Sequence, residues 1–298
     1  MLSFARSDAT TVRRLRVRVG ARDFDPVSTK LRLERMLGNV ELPAPWLSPS
    51  AILCIRELRD PRPGALALDE LTIRPPPAWH SALLAAVEEK LRRAVRPALG
   101  AVPAGAEAVV FADRAELLAC LARDVVLGGA GAWWWSALFG SRDLARLAAA
   151  ELAAHAELAP AVFARLVAES RAAAFVAELE EGEVTLVLAR TLASFGLAHV
   201  ERVVTGASAP PGVKRGDAQA LLGAGEASSP LHAWSDEIEA HLGALEGTAR
   251  LLVGIALAIA SDPVQVRSQS FAAALERRIR DRAEPPEVIR SFESSLDS

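Results

Sequence analysis

The sequence predicts an α+β protein, predominantly α-helical, in which a small N-terminal mixed strand-and-helix region is followed by a helical remainder. Three observations predict it. The β-type runs, short and rich in branched apolar residues, all fall within the first 111 residues, while from Ser141 to about Val204 apolar residues recur at helical spacing almost without a break. The most apolar segment, "LLVGIALAIA" at 251–260, lies between Arg250 and Asp262. It is well short of the roughly 20 residues a membrane-spanning helix needs, so it reads as a buried helix.

The elements follow in chain order. "TVRRLRVRV" at 11–19 sets Val12, Leu15, Val17 and Val19 against arginines, as in a strand with one apolar and one cationic face. "DFDPVSTKLRLERMLGNV" offers Asp25 as N-cap and Pro26 at the first helical position, with Val27, Leu31, Met36 and Val40 for a buried side. "KLRLE" also alternates, so a strand stays open there. "AILCIREL" at 51–58 is an apolar β-type run, expected to be buried and ended by "RDPRPG". After the prolines at 75–77, Leu83, Leu84, Val87, Leu91 and Val95 recur at 3 to 4 residue spacing, a helix ended by Pro97 and Gly100. "AVVF" at 108–111 is a short strand, and Asp113 can cap a helix over "RAELLACLARDVVLG" that stops at Gly128 and Gly129.

The helical part from Ser141 is divided by Pro160 and Gly182, and its short loops imply antiparallel neighbours. Residues 206–229, rich in Gly, Ala, Ser and Pro, read as a linker or long loop. Helices are expected over 233–260 and 263–282, then a frayed tail, "AEPPEVIRSFESSLDS". The predicted organisation is therefore 1–127 as an α+β region, 128–205 as a helical region with a Trp-rich junction, 206–229 as linker and 230–298 as C-terminal helices.

A chain of 298 residues, 51% hydrophobic and 24% charged, can bury roughly 75% of its unfolded surface without a metal or disulfide to hold it. A formal charge of −3 excludes a strongly basic nucleic-acid binder and a disordered acidic chain. Three lysines stand against 31 arginines, a bias that carries no function. Cys54 and Cys120 are far apart and lack metal-type spacing, so both are expected to pack as small apolar residues in a reducing cytosol. The N-terminus has no apolar run of signal-peptide length, and a cytoplasmic, soluble protein is expected.

The search for chemistry returns little. "GASAPPGVKRG" at 206–216 fails as a phosphate loop because Val213 intervenes before Lys214 and Arg215 follows it. "GGAGA" at 128–132 precedes tryptophans instead of opening a helix after a buried strand. The densest group of ligand-type residues is "LHAWSDEIEAH", where a helix pairs His232 with Asp236 and Glu237 with His241 at i,i+4. Those pairs point about 100° apart, and acids near a helix N-terminus are favoured by its dipole anyway. His80, His155 and His199 are scattered singletons, no GxSxG elbow occurs, and the acids from Glu178 to Glu183 read as a solvated helix end. No catalytic residue and no cofactor is assigned.

That leaves "GGAGAWWWSALFG" at 128–140. Neighbouring side chains diverge by about 100° on a helix and 180° on a strand, so Trp133, Trp134 and Trp135 cannot all face one core. One reading folds them into a core junction. The other keeps at least one indole more than about a third exposed as an anchor for another protein, with Phe139 beside it, since Trp is enriched at interaction hot spots.

In the order of its features the stretch "AVVFADRAELLACLARDVVLGGAGAWWW" resembles the tape-measure-like proteins of extracellular contractile injection systems, relatives of phage tails. There a helix of type "LLxxLxxG" precedes a tryptophan pair and then short helical repeats. Leu117, Leu118, Leu121 and Gly128 to Trp135 carry the likeness, which covers about residues 105–195. The block "SPSAILCIRELRDPRPG" is similar to proteins encoded among such particle genes. The chain is shorter than a typical tape measure, so the resemblance implies an accessory or assembly factor, with particle components as partners and no catalytic residues to transfer. Self-association is left open. The alternatives are an enzyme with a helical-pocket site, metal-assisted through 232–241, and a peripheral membrane protein using its tryptophans and N-terminal arginines, although that last reading lacks a basic amphipathic helix.

Overall fold

The computed structural model describes residues 25–38, 47–64, 66, 75–140, 143–204, 234, 236–243 and 245–283. The strand expected at 11–19, Val40, the linker at 206–229 and the tail from residue 284 lie outside these. The chain divides into two compact units, Met1–Asp124 with Gly128–Asp143, and Val125–Leu127 with Leu144–Ser298. Residues 128–143 thus group with the unit that holds the strands. The fold is α+β and mainly helical, with a single two-stranded sheet among the described residues.

In the first unit, helix α1 (Pro26–Gly38) starts as expected, with Asp25 Oδ1 accepting the Val27 N–H at 3.0 Å. Of the residues expected on its buried face, Met36 is buried and Val27 and Leu31 are not. Thr29, Leu33 and Met36 are buried, whereas Val27 and Leu31 are 66% and 61% exposed. Residues 29, 33 and 36 share one stripe at i, i+4 and i+7, and Val27 and Leu31 lie roughly 180° round the helix from it. Leu33 and Met36 pack with Trp79 and Leu83, with Leu37 and Leu66 at the edge. Trp79 and Leu83 come from α2 (Pro77–Arg92), so a contact more than 40 residues away chose which side of α1 is buried.

Strands β1 (Ile52–Ile55) and β2 (Ala108–Phe111) pair antiparallel, Ile52 opposite Phe111 and Ile55 opposite Ala108. Only Cys54 of β1 is buried, whereas Ala108, Val109 and Phe111 of β2 are. β2 is flanked on both edges, because Val95 bridges Val109 in parallel through Val95 N–H to Ala108 O at 3.1 Å and Val110 N–H to Val95 O at 3.0 Å. Val95 therefore leaves the helix face to which its spacing assigned it. Pro97 bars α geometry at Arg96, the helix ends at Arg92, and the residues between turn into strand.

Helix α3 (Arg114–Leu127) buries every residue from Ala115 to Ala122. Asp113 Oδ1 caps it by accepting the Glu116 N–H at 2.6 Å. Gly128 ends it at φ 70°, the left-handed region that favours glycine. A short 3-10 turn leads into α4 (Trp133–Phe139), which packs beside β1 and closes at Gly140, φ 71°.

The second unit holds α5 (Leu144–Ala154), α6 (Ala159–Ala168), α7 (Ala172–Ala177), α8 (Glu181–Ser194), α9 (Ala198–Val204), α10 (Asp236–Leu242), α11 (Gly247–Ser261) and α12 (Gln269–Ala283). α11 is central. All residues from Leu252 to Ile259 are buried, as on a helix surrounded on every side, and it packs on α6, α8 and α10. α5 lies on α8, and α12 on α9. Pro160 and Gly182 separate helices as expected and sit in the first turns of α6 and α8, where a missing N–H or a flexible residue is tolerated, while the segments they open, each expected as one helix, are divided into α6 with α7 and α8 with α9. α5 and the helical run from Ala156 to Ala168 meet at 94°. Among the described residues no single helix is long and apolar enough to cross a membrane.

Candidate functional site

The aromatic segment is built from its backbone outward. Ala132 is extended (φ −67°, ψ 125°), so helix α4 begins at the first tryptophan and the three indoles fan out over one turn. Trp135 points inward and is fully buried, its ring 5.9 Å from Phe111 at 31° and 6.3 Å from Phe139 at 22°. Its Nε1–H donates to Asp124 Oδ2 at 2.8 Å. Trp134, also buried, stands edge-on to both neighbours, 5.8 Å and 85° from Trp133 and 6.0 Å and 61° from Trp135. Its Nε1 is buried without a hydrogen-bond acceptor. Trp133 is half-buried and donates to Ala106 O at 3.0 Å, and Phe139 is half-buried.

None of the three indoles is exposed, contrary to the expectation that at least one would be more than about a third exposed. The divergence argument holds, but the chain before β2 supplies a second wall at Ala106 and the end of α3 a third at Asp124. Neither wall could be read from the glycines and alanines that flank the triplet in sequence.

Asp124 is the polar centre of this cluster. It is 8% exposed, accepts from Trp135, and lies 3.4 Å from Arg123 Nη2, whose other nitrogen Nη1 donates to Pro97 O at 2.9 Å. Burial pushes its carboxyl above the usual aspartate range, against the smaller opposite pulls of the Trp135 hydrogen bond and of Arg123. The backbone at Gly129 lies close against it. A Cβ on Gly129 would lie 2.9 Å from Asp124 Cγ, so glycine is needed there for close approach. A second buried carboxylate, Glu116, is gripped by Arg96 through Nε at 2.8 Å and Nη2 at 2.5 Å, and its Oε1 accepts the Ala112 N–H at 3.1 Å. That fork ties the turn between β2 and α3 to the residue before Pro97.

The stretch "LHAWSDEIEAH" runs into α10. Asp236 and Glu237 open α10, His241 is exposed in its last turn, and His232 lies outside the described residues. Among the described residues no group of three or more His, Cys, Asp or Glu is placed to hold a metal ion. The same stretch does contribute a polar network that sequence reasoning missed. Trp234 Nε1 donates to Glu239 Oε1 at 3.0 Å, Glu239 pairs with Arg250, and Arg250 Nη1 donates to Leu245 O at 3.2 Å. The Trp234 ring lies on Gly254, where an added Cβ would come 2.1 Å from ring atom Cη2. The legible signal was the isolated glycine inside an apolar helical run, which marks a close approach.

The remaining singletons stay apart. His155 Nδ1 lies 3.6 Å from Glu157, and His199 on α9 has a buried Nε2 without a partner. Glu180 and Glu183 form a capping box at the start of α8. Cys54 and Cys120 are both buried and neither is in a disulfide, as expected, and burial pushes the Cys54 thiol up to about 12, which keeps it protonated and unreactive at neutral pH.

No known family, curated protein or solved structure matches the chain.

Proposed function

We propose that the protein is a non-catalytic assembly or structural accessory factor that acts by protein–protein contact, with a contractile injection particle as its setting. The observation that carries the contact reading is on α1. That helix is apolar on two opposite sides, one filled by Trp79 and Leu83 and the other leaving Val27 and Leu31 exposed one turn apart, beside the Lys30–Glu34 ion pair. Each large apolar side chain left in water forgoes roughly 1.5 to 3 kcal/mol of available burial, which a docked partner recovers. The particle setting rests on the resemblance carried by Leu117, Leu118, Leu121 and Gly128 to Trp135. Within this reading the tryptophans shape the first unit, and α1 replaces them as the contact surface.

The test is co-purification of the protein with identified tube, sheath or baseplate components of a contractile particle. A Val27→Ser/Leu31→Ser variant is expected to lose that association while its melting temperature stays within a few degrees, because neither side chain belongs to the packed core. Association unchanged in the variant would overturn α1 as the surface. Failure of the unaltered protein to associate with any such component would overturn the assembly setting.

A further inference from the structure

We draw no further inference here: the strongest candidate, the outer apolar patch of α1 at Val27 and Leu31, already supports the proposed function, and nothing in the structure shows what covers it.

Discussion

Three identical residues in a row do three different things. Trp135 is a core side chain held between two phenylalanines, Trp134 fills the gap edge-on, and Trp133 shields the rim with its indole nitrogen tied to Ala106. Replacement by alanine should therefore cost unequally. Trp135→Ala removes a fully buried ring and leaves Asp124 without its indole donor, an expected loss of about 3 to 5 kcal/mol in urea unfolding. Trp133→Ala should cost less than half as much. Equal losses at the two positions would mean that the triplet is packed differently.

Asp124 gives a pH test at the same scale. Burial raises its folded pKa above the ordinary 3.8, so the folded state holds the proton more tightly than the unfolded chain does. The contribution of this group is then fully present below pH 3.8 and lost as the pH rises through the raised value. Asp124→Asn keeps an oxygen acceptor for Trp135 and abolishes the titration. The unfolding free energy of the wild type minus that of Asp124→Asn should be most favourable at low pH and decline through the acid range. A difference that is flat, or that grows with pH, would contradict a raised carboxyl.

At the scale of elements, α11 tests how tightly the second unit is built. In an ordinary helix Gly→Ala stabilises by up to about 1 kcal/mol. Here the new Cβ would press into the Trp234 ring, and overpacking of that kind costs about 1 to 3 kcal/mol. Gly254→Ala should therefore lower the melting temperature, and Trp234→Leu in the same background should restore part of the loss by making room. A Gly254→Ala variant more stable than the wild type would show that the ring does not rest there.

Elements were legible where their signals were local. "AVVF" forms β2 at the expected positions, Asp113 caps α3, Gly128 ends it, and "LLVGIALAIA" is the buried helix its composition implies. The errors in which face is buried and which strand is joined concern long-range choices. Val95 had helical spacing yet joined β2, and Val27 and Leu31 had as good a claim to burial as Leu33 until Trp79 settled the side.

At the scale of the whole molecule, the first unit buries Trp135 and Phe111 and the second buries α11. The named neighbours of Trp135 and of Gly254 have no residue in common. Combining Trp135→Ala with Gly254→Ala should thus give a loss equal to the sum of the single losses within about 0.5 kcal/mol. A coupling well above that in a double-mutant cycle would show that the two residues share a neighbour.

By itself the sequence determined the fold class, where the helical segments lie, the caps and stops at Asp25, Asp113 and Gly128, and the apolar character of both cysteines, because each depends on residues a few positions apart, although the spans expected over 160–179, 182–204 and 233–260 each hold two helices. Only the tertiary structure decided which face of α1 is buried, where Val95 pairs, that the tryptophans close the first unit, and that Trp234 rests on Gly254. Those outcomes depend on walls supplied from distant parts of the chain: Ala106 and Asp124 around the indoles, Trp79 against α1, and a ring over a missing Cβ. Periodicity shows that a side chain is apolar and which way it points on its own element, and burial is set by what the rest of the chain brings to that side.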